Sequence, residues 1–225
     1  MSNTGWYASS PRNIVAVNRW PSNGELMYDM YRLGYLNARR KIVDMTYGRG
    51  VWWSYLEVHQ GYPMARLVKH DINYDAVDFR DGLPEKSDSV GTVLFDPPYV
   101  STGGRTTSTL PEFNDRYGVL YSEKTPELNQ ELLINPGIAE AARIIRPDKE
   151  SKVMVKCTNY ISSNKYKQGV RWSTEYAETV GLELHDQFFL AGDVRAQPGG
   201  RAVRHARNNY SVLLVFTKKR PSKAS

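Results

Sequence analysis

Cysteine is nearly missing from this sequence, since Cys157 is the single one among 225 residues. A lone cysteine excludes an internal disulfide and a cysteine-rich zinc site, and it is typical of a reducing compartment. The four histidines have no spacing of the His-x-x-x-His kind, so no metal site is expected. We interpret Cys157 as a core residue of an apolar strand rather than as a nucleophile.

Long apolar runs are also missing from the sequence. None approaches the roughly 20 residues that cross a bilayer. Residues 1–10 have neither the charged nor the apolar region of a secretory signal peptide. We therefore expect a cytoplasmic protein without a membrane partner.

What is present is the composition of one globular domain, with 40% hydrophobic and 24% charged residues and no linker between two halves. We expect the single domain, residues 1–225, to have its core at about residues 20–217 and a basic tail at residues 218–225. Thirty lysines and arginines against 24 aspartates and glutamates give a net charge of +6. Such an excess is typical of surfaces that bind polyanions, although many basic proteins bind no nucleic acid.

Apolar, β-rich runs alternate with helix-like stretches, which predicts an α/β domain built on a mostly parallel sheet. Seven strands are predicted, at residues 41–46, 66–70, 76–79, 90–95, 152–158, 182–190 and 210–217. Helices are predicted at residues 22–37, 51–59, 128–145 and 172–180. Two long segments without a sustained period remain, residues 101–126 and 191–209. Loops of this length inside a compact domain are usually functional.

The sharpest motif is Asp96-Pro97-Pro98-Tyr99, which directly follows the apolar residues 93–95. We expect it to project from the carboxyl end of a strand, where open α/β sheets place their ligands. The Asp96 carboxylate and the Pro97 carbonyl could accept both hydrogens of an exocyclic amino group, which would free the nitrogen lone pair for attack. Tyr99 could then stack on the base. A strand-terminating turn, with Asp96 as a cap and Tyr99 as surface cover, is the alternative.

A second motif is a glycine turn between a predicted strand and a predicted helix, with the sequence Asp-Met-Thr-Tyr-Gly-Arg-Gly at residues 44–50. Glycines such as Gly48 and Gly50 let the backbone approach a ligand closely. The turn lacks the Lys-Ser/Thr pair of a phosphate loop and the third glycine of the dinucleotide fingerprint. A plain tight turn is the alternative.

Taken together, the two motifs resemble those of the S-adenosylmethionine-dependent amino-methyltransferases, in the small DPPY-type form without a separate target-recognition domain. Gly50 and Asp96 lie 46 positions apart, which leaves room for strands two and three, as the methyltransferase sheet requires. The resemblance implies a Rossmann-like class I methyltransferase fold with seven strands, helices on both faces and an antiparallel seventh strand. It also implies S-adenosyl-L-methionine as the cofactor.

By that resemblance, the glycine turn would hold the amino-acid part of the cofactor. Asp71, at the end of the second strand, would accept the ribose hydroxyls, and Asp78 and Phe79 would contact the adenine ring. Trp20 and Pro21 resemble the start of an N-terminal element that closes over the methionine carboxylate. The candidate cofactor-binding residues are Asp44, Thr46, Tyr47, Gly48, Gly50, Asp71, Asp78, Phe79 and Asp96.

The sequence departs from the family pattern after strand two, because only six residues lie between Asp71 and Asp78. That is too few for the helix usually found between strands two and three. Either this helix is lost or the second strand is misplaced.

Target recognition is expected from the two long loops, because there is no separate domain for it. Arginines contact phosphates and aromatic rings stack on bases, a combination that suits a flipped-out target nucleotide. The candidate nucleic-acid-binding residues are Arg105, Arg116, Arg195, Arg201, Arg204, His205 and Arg207. A solvated loop with incidental charge is the alternative.

The resemblance implies methyl transfer from S-adenosylmethionine to the exocyclic N6 of adenine in DNA, by direct attack and with base flipping. The catalytic residues would be Asp96, Pro97, Pro98 and Tyr99. Alternatives are an RNA methyltransferase acting on adenine N6 or guanine N2, and an inactive nucleic-acid-binding protein of the same fold. Lys156 and Asn159, near the end of strand five, have no assigned role, and the target sequence and oligomeric state stay open.

Overall fold

The computed structural model describes residues 20–37, 39–58, 64–98, 130–162, 165–191 and 209–219. Within these residues one sheet consists of β1 (Ile42–Asp44), β2 (Leu67–Lys69), β3 (Thr92–Phe95), β4 (Lys152–Cys157), β7 (Leu182–Ala191) and β8 (Tyr210–Lys218). Two further strands, β5 (Tyr160–Ser162) and β6 (Lys165–Lys167), form a separate antiparallel hairpin.

The helices are α1 (Asn23–Arg32), α2 (Ser54–Val58), α3 (Asn135–Ile144) and α4 (Gly169–Thr179). A π-helical turn, Gln130–Ile134, leads into α3, and short 3₁₀ turns occupy Met64–Arg66 and Phe79–Asp81. Ser22 caps the start of α1, since its hydroxyl accepts a hydrogen bond from the Glu25 N–H at 3.2 Å. None of the helices in the described part of the chain has the length and apolarity of a membrane span.

The strands lie in the order β2-β1-β3-β4-β8-β7. β1 pairs in parallel with β2 and β3, and β3 pairs in parallel with β4. β8 is antiparallel to both of its neighbours, β4 and β7. This arrangement confirms the predicted Rossmann-like α/β class with a mostly parallel sheet and an antiparallel last strand.

Helices cover both faces of the sheet, as predicted, because the central strands are apolar on both sides. On one face, α1, α2 and the indoles of Trp52 and Trp53 pack on alternate strand residues such as Leu94 and Met154. On the other face, α3 and α4 pack on the residues between them, such as Phe95 and Val155. All four residues of β3 are buried.

The predicted third strand, at residues 76–79, is wrong. Ala76 has a φ of 60°, which an extended strand does not allow, and Phe79 begins a 3₁₀ turn. The second strand lies where it was expected, so it is the helix between strands two and three that is lost. Within the described residues the sheet therefore has six strands instead of seven.

Candidate active site at the carboxyl ends of the strands

The carboxyl ends of β1, β3 and β4 meet at one edge of the sheet because these strands are parallel. The register pairs Asp44 with Leu94, and Phe95 with Val155. Side chains alternate between the two faces along a strand, so Asp44, Asp96 and Lys156 all lie on the face that carries α1 and α2. The sheet thus brings two carboxylates and an ammonium group together from residues far apart in the chain.

Asp96, directly after β3, is held from three directions. Its Oδ2 accepts hydrogen bonds from Trp52 Nε1 at 2.9 Å and from Lys156 Nζ at 3.2 Å. Its backbone N–H donates to Thr46 Oγ1 at 2.8 Å. The other carboxylate oxygen, Oδ1, receives no hydrogen bond from the residues that the structure describes. The carboxylate is therefore held in one orientation through Oδ2.

Lys156 and Trp52 are functional candidates to which the sequence analysis gave no such role. The side chains of Asp96 and Lys156 are only 18% and 14% exposed, so the ion pair is mostly removed from water. Lys156 Nζ also lies 5.3 Å from the centre of the Trp52 ring, within cation–π range. The sequence signal that could have identified Lys156 is its position inside the largely apolar strand β4, because a charge in such a place needs a partner.

The Asp96-Pro97-Pro98-Tyr99 motif is described through its third residue. Pro97 is buried and Pro98 is half-buried, whereas Tyr99 lies outside the described residues. The motif ends β3, as predicted, since a proline pair cannot continue a central strand. The stacking role of Tyr99 stays a prediction.

Asp44 lies beneath the glycine turn and is only 1% exposed. Its Oδ2 accepts from Trp53 Nε1 at 2.7 Å, and its Oδ1 accepts from the Thr46 N–H at 3.0 Å. Burial raises the pKa of Asp44 to about 7, against the effect of both hydrogen bonds, and the charges of Asp96 and Asp71 raise it further. Asp44 thus supports the turn from inside, and its contact with a cofactor stays a prediction.

The glycine turn needs its two glycines, because Gly48 and Gly50 have φ values of 53° and 70°. A Cβ atom on Gly50 would lie 2.6 Å from Tyr47 Oη, so the tyrosine side chain folds across this glycine. The Tyr47 ring also lies 5.2 Å from the Tyr74 ring and 4.5 Å from Lys69 Nζ. The turn is therefore lined by an aromatic pair and a lysine.

Asp71 joins the glycine turn to the end of β2. Its Oδ2 accepts from the Gly48 N–H at 3.2 Å, and its Oδ1 accepts from the Asn73 N–H at 2.8 Å. The structure thus brings Asp71 next to the turn. Its ribose contact stays a prediction.

Asp78 and Phe79 belong to the 3₁₀ turn that replaces the third strand. Asp78 accepts from the Arg80 backbone N–H and from its guanidinium, each at 2.9 Å. Burial alone would raise the pKa of Asp78, but these hydrogen bonds outweigh it and lower the pKa below its ordinary value. Phe79 is 8% exposed and packs edge-on against Phe95 at 5.0 Å. Both adenine contacts stay predictions, and the described Phe79 ring packs in the core.

A buried polar cluster that the sequence analysis missed fastens the short segment after β2. His70 is 5% exposed; its Nδ1 lies 2.6 Å from Asp75 Oδ2, and its Nε2 lies 3.1 Å from Glu85 Oε2. Glu85 also lies 3.4 Å from Lys41 Nζ. These contacts attach the described residues 71–78 to the rest of the protein, although no helix follows β2 there.

The other predicted site residues lie largely outside the described part of the chain. All seven candidate nucleic-acid-binding residues, at positions 105–207, are in segments 99–129 and 192–208, which the structure does not describe. The described residues that border these segments, such as Pro98, Ala191 and Tyr210, lie at the same edge of the sheet as Asp96. Trp20 is buried against Phe188 and donates from Nε1 to Asp29 at 2.8 Å, and the predicted closure over a cofactor stays a prediction. In the described ranges no group of three or more His, Cys, Asp or Glu could hold a metal ion.

Comparison with known proteins gives distant likenesses to solved structures alone. No protein-family model and no curated protein matches the chain. PH0226 from Pyrococcus horikoshii OT3 aligns at 12% identity and a TM-score of 0.46, over 87% of this chain and 90% of that one. A protein provisionally described as a methyltransferase, in complex with the Trm112 activator of Haloferax volcanii, aligns at 13% and 0.43, over 82% and 84%. TTHA0409 from Thermus thermophilus, provisionally described as a DNA modification methylase and bound to S-adenosyl-L-methionine, aligns at 14% and 0.40, over 66% and 54%. At such distances any assignment of function has to come from the site residues themselves.

Proposed function

We propose that this protein transfers a methyl group from S-adenosyl-L-methionine to the exocyclic N6 of adenine in DNA. The observation that carries the proposal is the link between the two motifs. The Asp96 N–H bonds to Thr46 Oγ1 at 2.8 Å, so the candidate catalytic carboxylate lies against the turn that the resemblance assigns to the cofactor.

The residues around the turn fit S-adenosylmethionine. A Cβ atom on Gly48 would meet only the Thr46 carbonyl oxygen, at 3.8 Å, so the backbone there is open to a close ligand. Asp71 supplies a carboxylate for hydroxyl groups, and the rings of Tyr47 and Tyr74 supply aromatic surface. When bound, the cofactor would supply a methyl group on a positively charged sulfur. The nitrogen lone pair would attack the methyl carbon, the carbon–sulfur bond would break with release of the neutral thioether, and the amino group would then lose one proton.

The chain's own contribution is to position and polarise the amino group. Asp96 Oδ1 can accept one amino hydrogen while Oδ2 stays anchored by Trp52 and Lys156. The Pro97 carbonyl is the candidate acceptor for the second hydrogen. Two acceptors draw the nitrogen out of conjugation with the ring, and the Asp96 carboxylate opposes the positive charge that develops on it. Catalysis of this kind relies mainly on orientation.

Nucleoside mass spectrometry tests the proposal. The purified protein is incubated with S-adenosylmethionine and unmethylated DNA or, separately, RNA. The expected product is N6-methyladenine in DNA. Methylated adenine or guanine in RNA alone would overturn the DNA assignment. Absence of product from both substrates would overturn the assignment as an enzyme.

The Asp96→Ala variant tests whether Asp96 supplies the catalytic carboxylate. It should abolish methyl transfer and leave the dissociation constant for S-adenosylmethionine within about twofold of wild type, measured by calorimetry. Asp88→Asn is the matched control, because it removes a carboxylate at the opposite end of β3 and asparagine tolerates the φ of 55° there. Equal loss of cofactor binding and methyl transfer in Asp96→Ala would mean that the motif is misassigned.

A further inference from the structure

The β5–β6 hairpin follows β4 and is anchored near the candidate active site. It begins at Tyr160, shortly after Lys156 on β4. At its base, Thr158 Oγ1 donates to the Tyr210 carbonyl at 3.1 Å, and Asn159 Oδ1 accepts from the Val170 N–H at 3.1 Å. These contacts tie the hairpin to β8 and α4 as well as to β4.

A glycine allows this close attachment. A Cβ atom on Gly169 would lie 2.4 Å from the Thr158 carbonyl oxygen, so the first residue of α4 packs directly on the chain leaving β4. An isolated two-stranded hairpin is marginally stable in water. The anchored base therefore gives the hairpin a defined position relative to Asp96.

The hairpin has the chemistry of a nucleic-acid contact. Residues 158–171 contain Lys165, Lys167 and Arg171 but no aspartate or glutamate. Lys165 lies opposite Ser162 and Lys167 lies opposite Tyr160, so the two lysines share one face of the ribbon. Arg171, on α4, is paired with Glu175 at 2.6 Å.

An exposed aromatic ring lies between the two lysines in the chain. Tyr166 is opposite Ile161, on the other face of the ribbon, and is 48% exposed. Lysines neutralise phosphates, and every base has a face on which an aromatic ring can stack. The two lysines and the exposed tyrosine ring together suit a nucleic acid, which has both phosphates and flat bases.

We propose that the β5–β6 hairpin binds the DNA strand next to the target base, with Lys165 and Lys167 on phosphates and Tyr166 on a base or sugar. This inference rests on the proposed function and adds a recognition element to it. The carboxyl end of β4 leads into the hairpin, so the proposed DNA contacts and Asp96 lie at the same edge of the sheet.

The test compares two double variants of the full-length protein. Lys165→Ala/Lys167→Ala removes the hairpin charges. Lys86→Ala/Lys149→Ala removes two exposed lysines that precede β3 and β4, at the opposite edge of the sheet. Binding of a short fluorescein-labelled DNA duplex is measured by anisotropy across a range of salt concentrations.

The hairpin variant should flatten the slope of log K against log salt by about 1.8, which corresponds to about a 30-fold loss of affinity at 0.15 M salt. The control variant should keep the wild-type slope. Tyr166→Ala should weaken binding about tenfold without changing the slope.

Two results would overturn the inference: an unchanged slope in the hairpin variant, or the same flattening in both double variants. Methyl transfer by wild-type protein together with either result would refute the hairpin role alone. A wild-type protein that transfers no methyl group would refute the proposed function, while the slopes would still decide whether the hairpin binds DNA.

Discussion

Asp44→Asn should change how the stability of this protein depends on pH. The Asp44 carboxyl is 1% exposed and burial raises its pKa to about 7, whereas in the unfolded chain the pKa of an aspartate is near 4. Between these two values the folded state keeps a proton that the unfolded state has lost. The contribution of this group to stability therefore falls as pH rises from about 4 to about 7 and is constant above that range.

The magnitude follows from the size of the shift. At about 1.36 kcal/mol per pKa unit, the Asp44 carboxyl should lower the free energy of unfolding by about 2 kcal/mol between pH 5.5 and pH 8. Asparagine does not titrate, so Asp44→Asn should lose this slope. The variant also places an amide NH₂ against one of two N–H donors, from Trp53 or Thr46, which costs stability at every pH.

Urea denaturation of both proteins at several pH values measures the effect. The quantity to compare is the difference in unfolding free energy between wild type and variant, because other titrating groups cancel in it. This difference should shrink by about 2 kcal/mol from pH 5.5 to pH 8. A difference that is independent of pH would refute the assignment of a raised pKa to the buried carboxyl.

Two further substitutions probe the ends of β3 and β4. Lys156→Met should lower kcat by about tenfold or more with little change in KM for S-adenosylmethionine, because only Trp52 would still donate to the Asp96 carboxylate. Lys156→Arg should restore part of the lost kcat. An unchanged kcat in Lys156→Met would count against the positioning role of Lys156. Gly137→Ala should cost about 1–3 kcal/mol in urea denaturation, because its Cβ would lie 2.0 Å from Phe95 Cζ. Phe95→Leu in the same chain should recover part of that stability, and wild-type stability of Gly137→Ala alone would show that the helix can move away.

The central strands of the sheet could be predicted because buried parallel strands have nearly continuous apolar sequences. β4 illustrates this, since residues 153–155 are apolar and all buried. The false third strand had the same appearance, with Val77 and Phe79 in alternation, but Ala76 adopts a left-handed conformation that its side chain does not signal. The β5–β6 hairpin was missed because its strands are polar and short.

The candidate site could be predicted in part for a similar reason. The order of the glycine turn and the Asp96 motif is visible in the sequence, and in the structure the Asp96 N–H bonds to Thr46 of that turn. Lys156 and Trp52 could not be connected to Asp96 in advance. Their meeting depends on the register of β3 against β4, which pairs Phe95 with Val155 and which a single sequence does not give.

The same register links maturation of the site to the order of folding. Trp52, Asp96 and Lys156 are distant in the chain, and a one-residue slip of β4 against β3 would turn the lysine to the opposite face of the sheet. Such non-local pairings form late, after loop closure has been paid for. During synthesis, a chain that has not yet paired β4 would lack the Lys156 contact to Asp96, so the proposed methyl transfer would reach its full rate only once the sheet is complete.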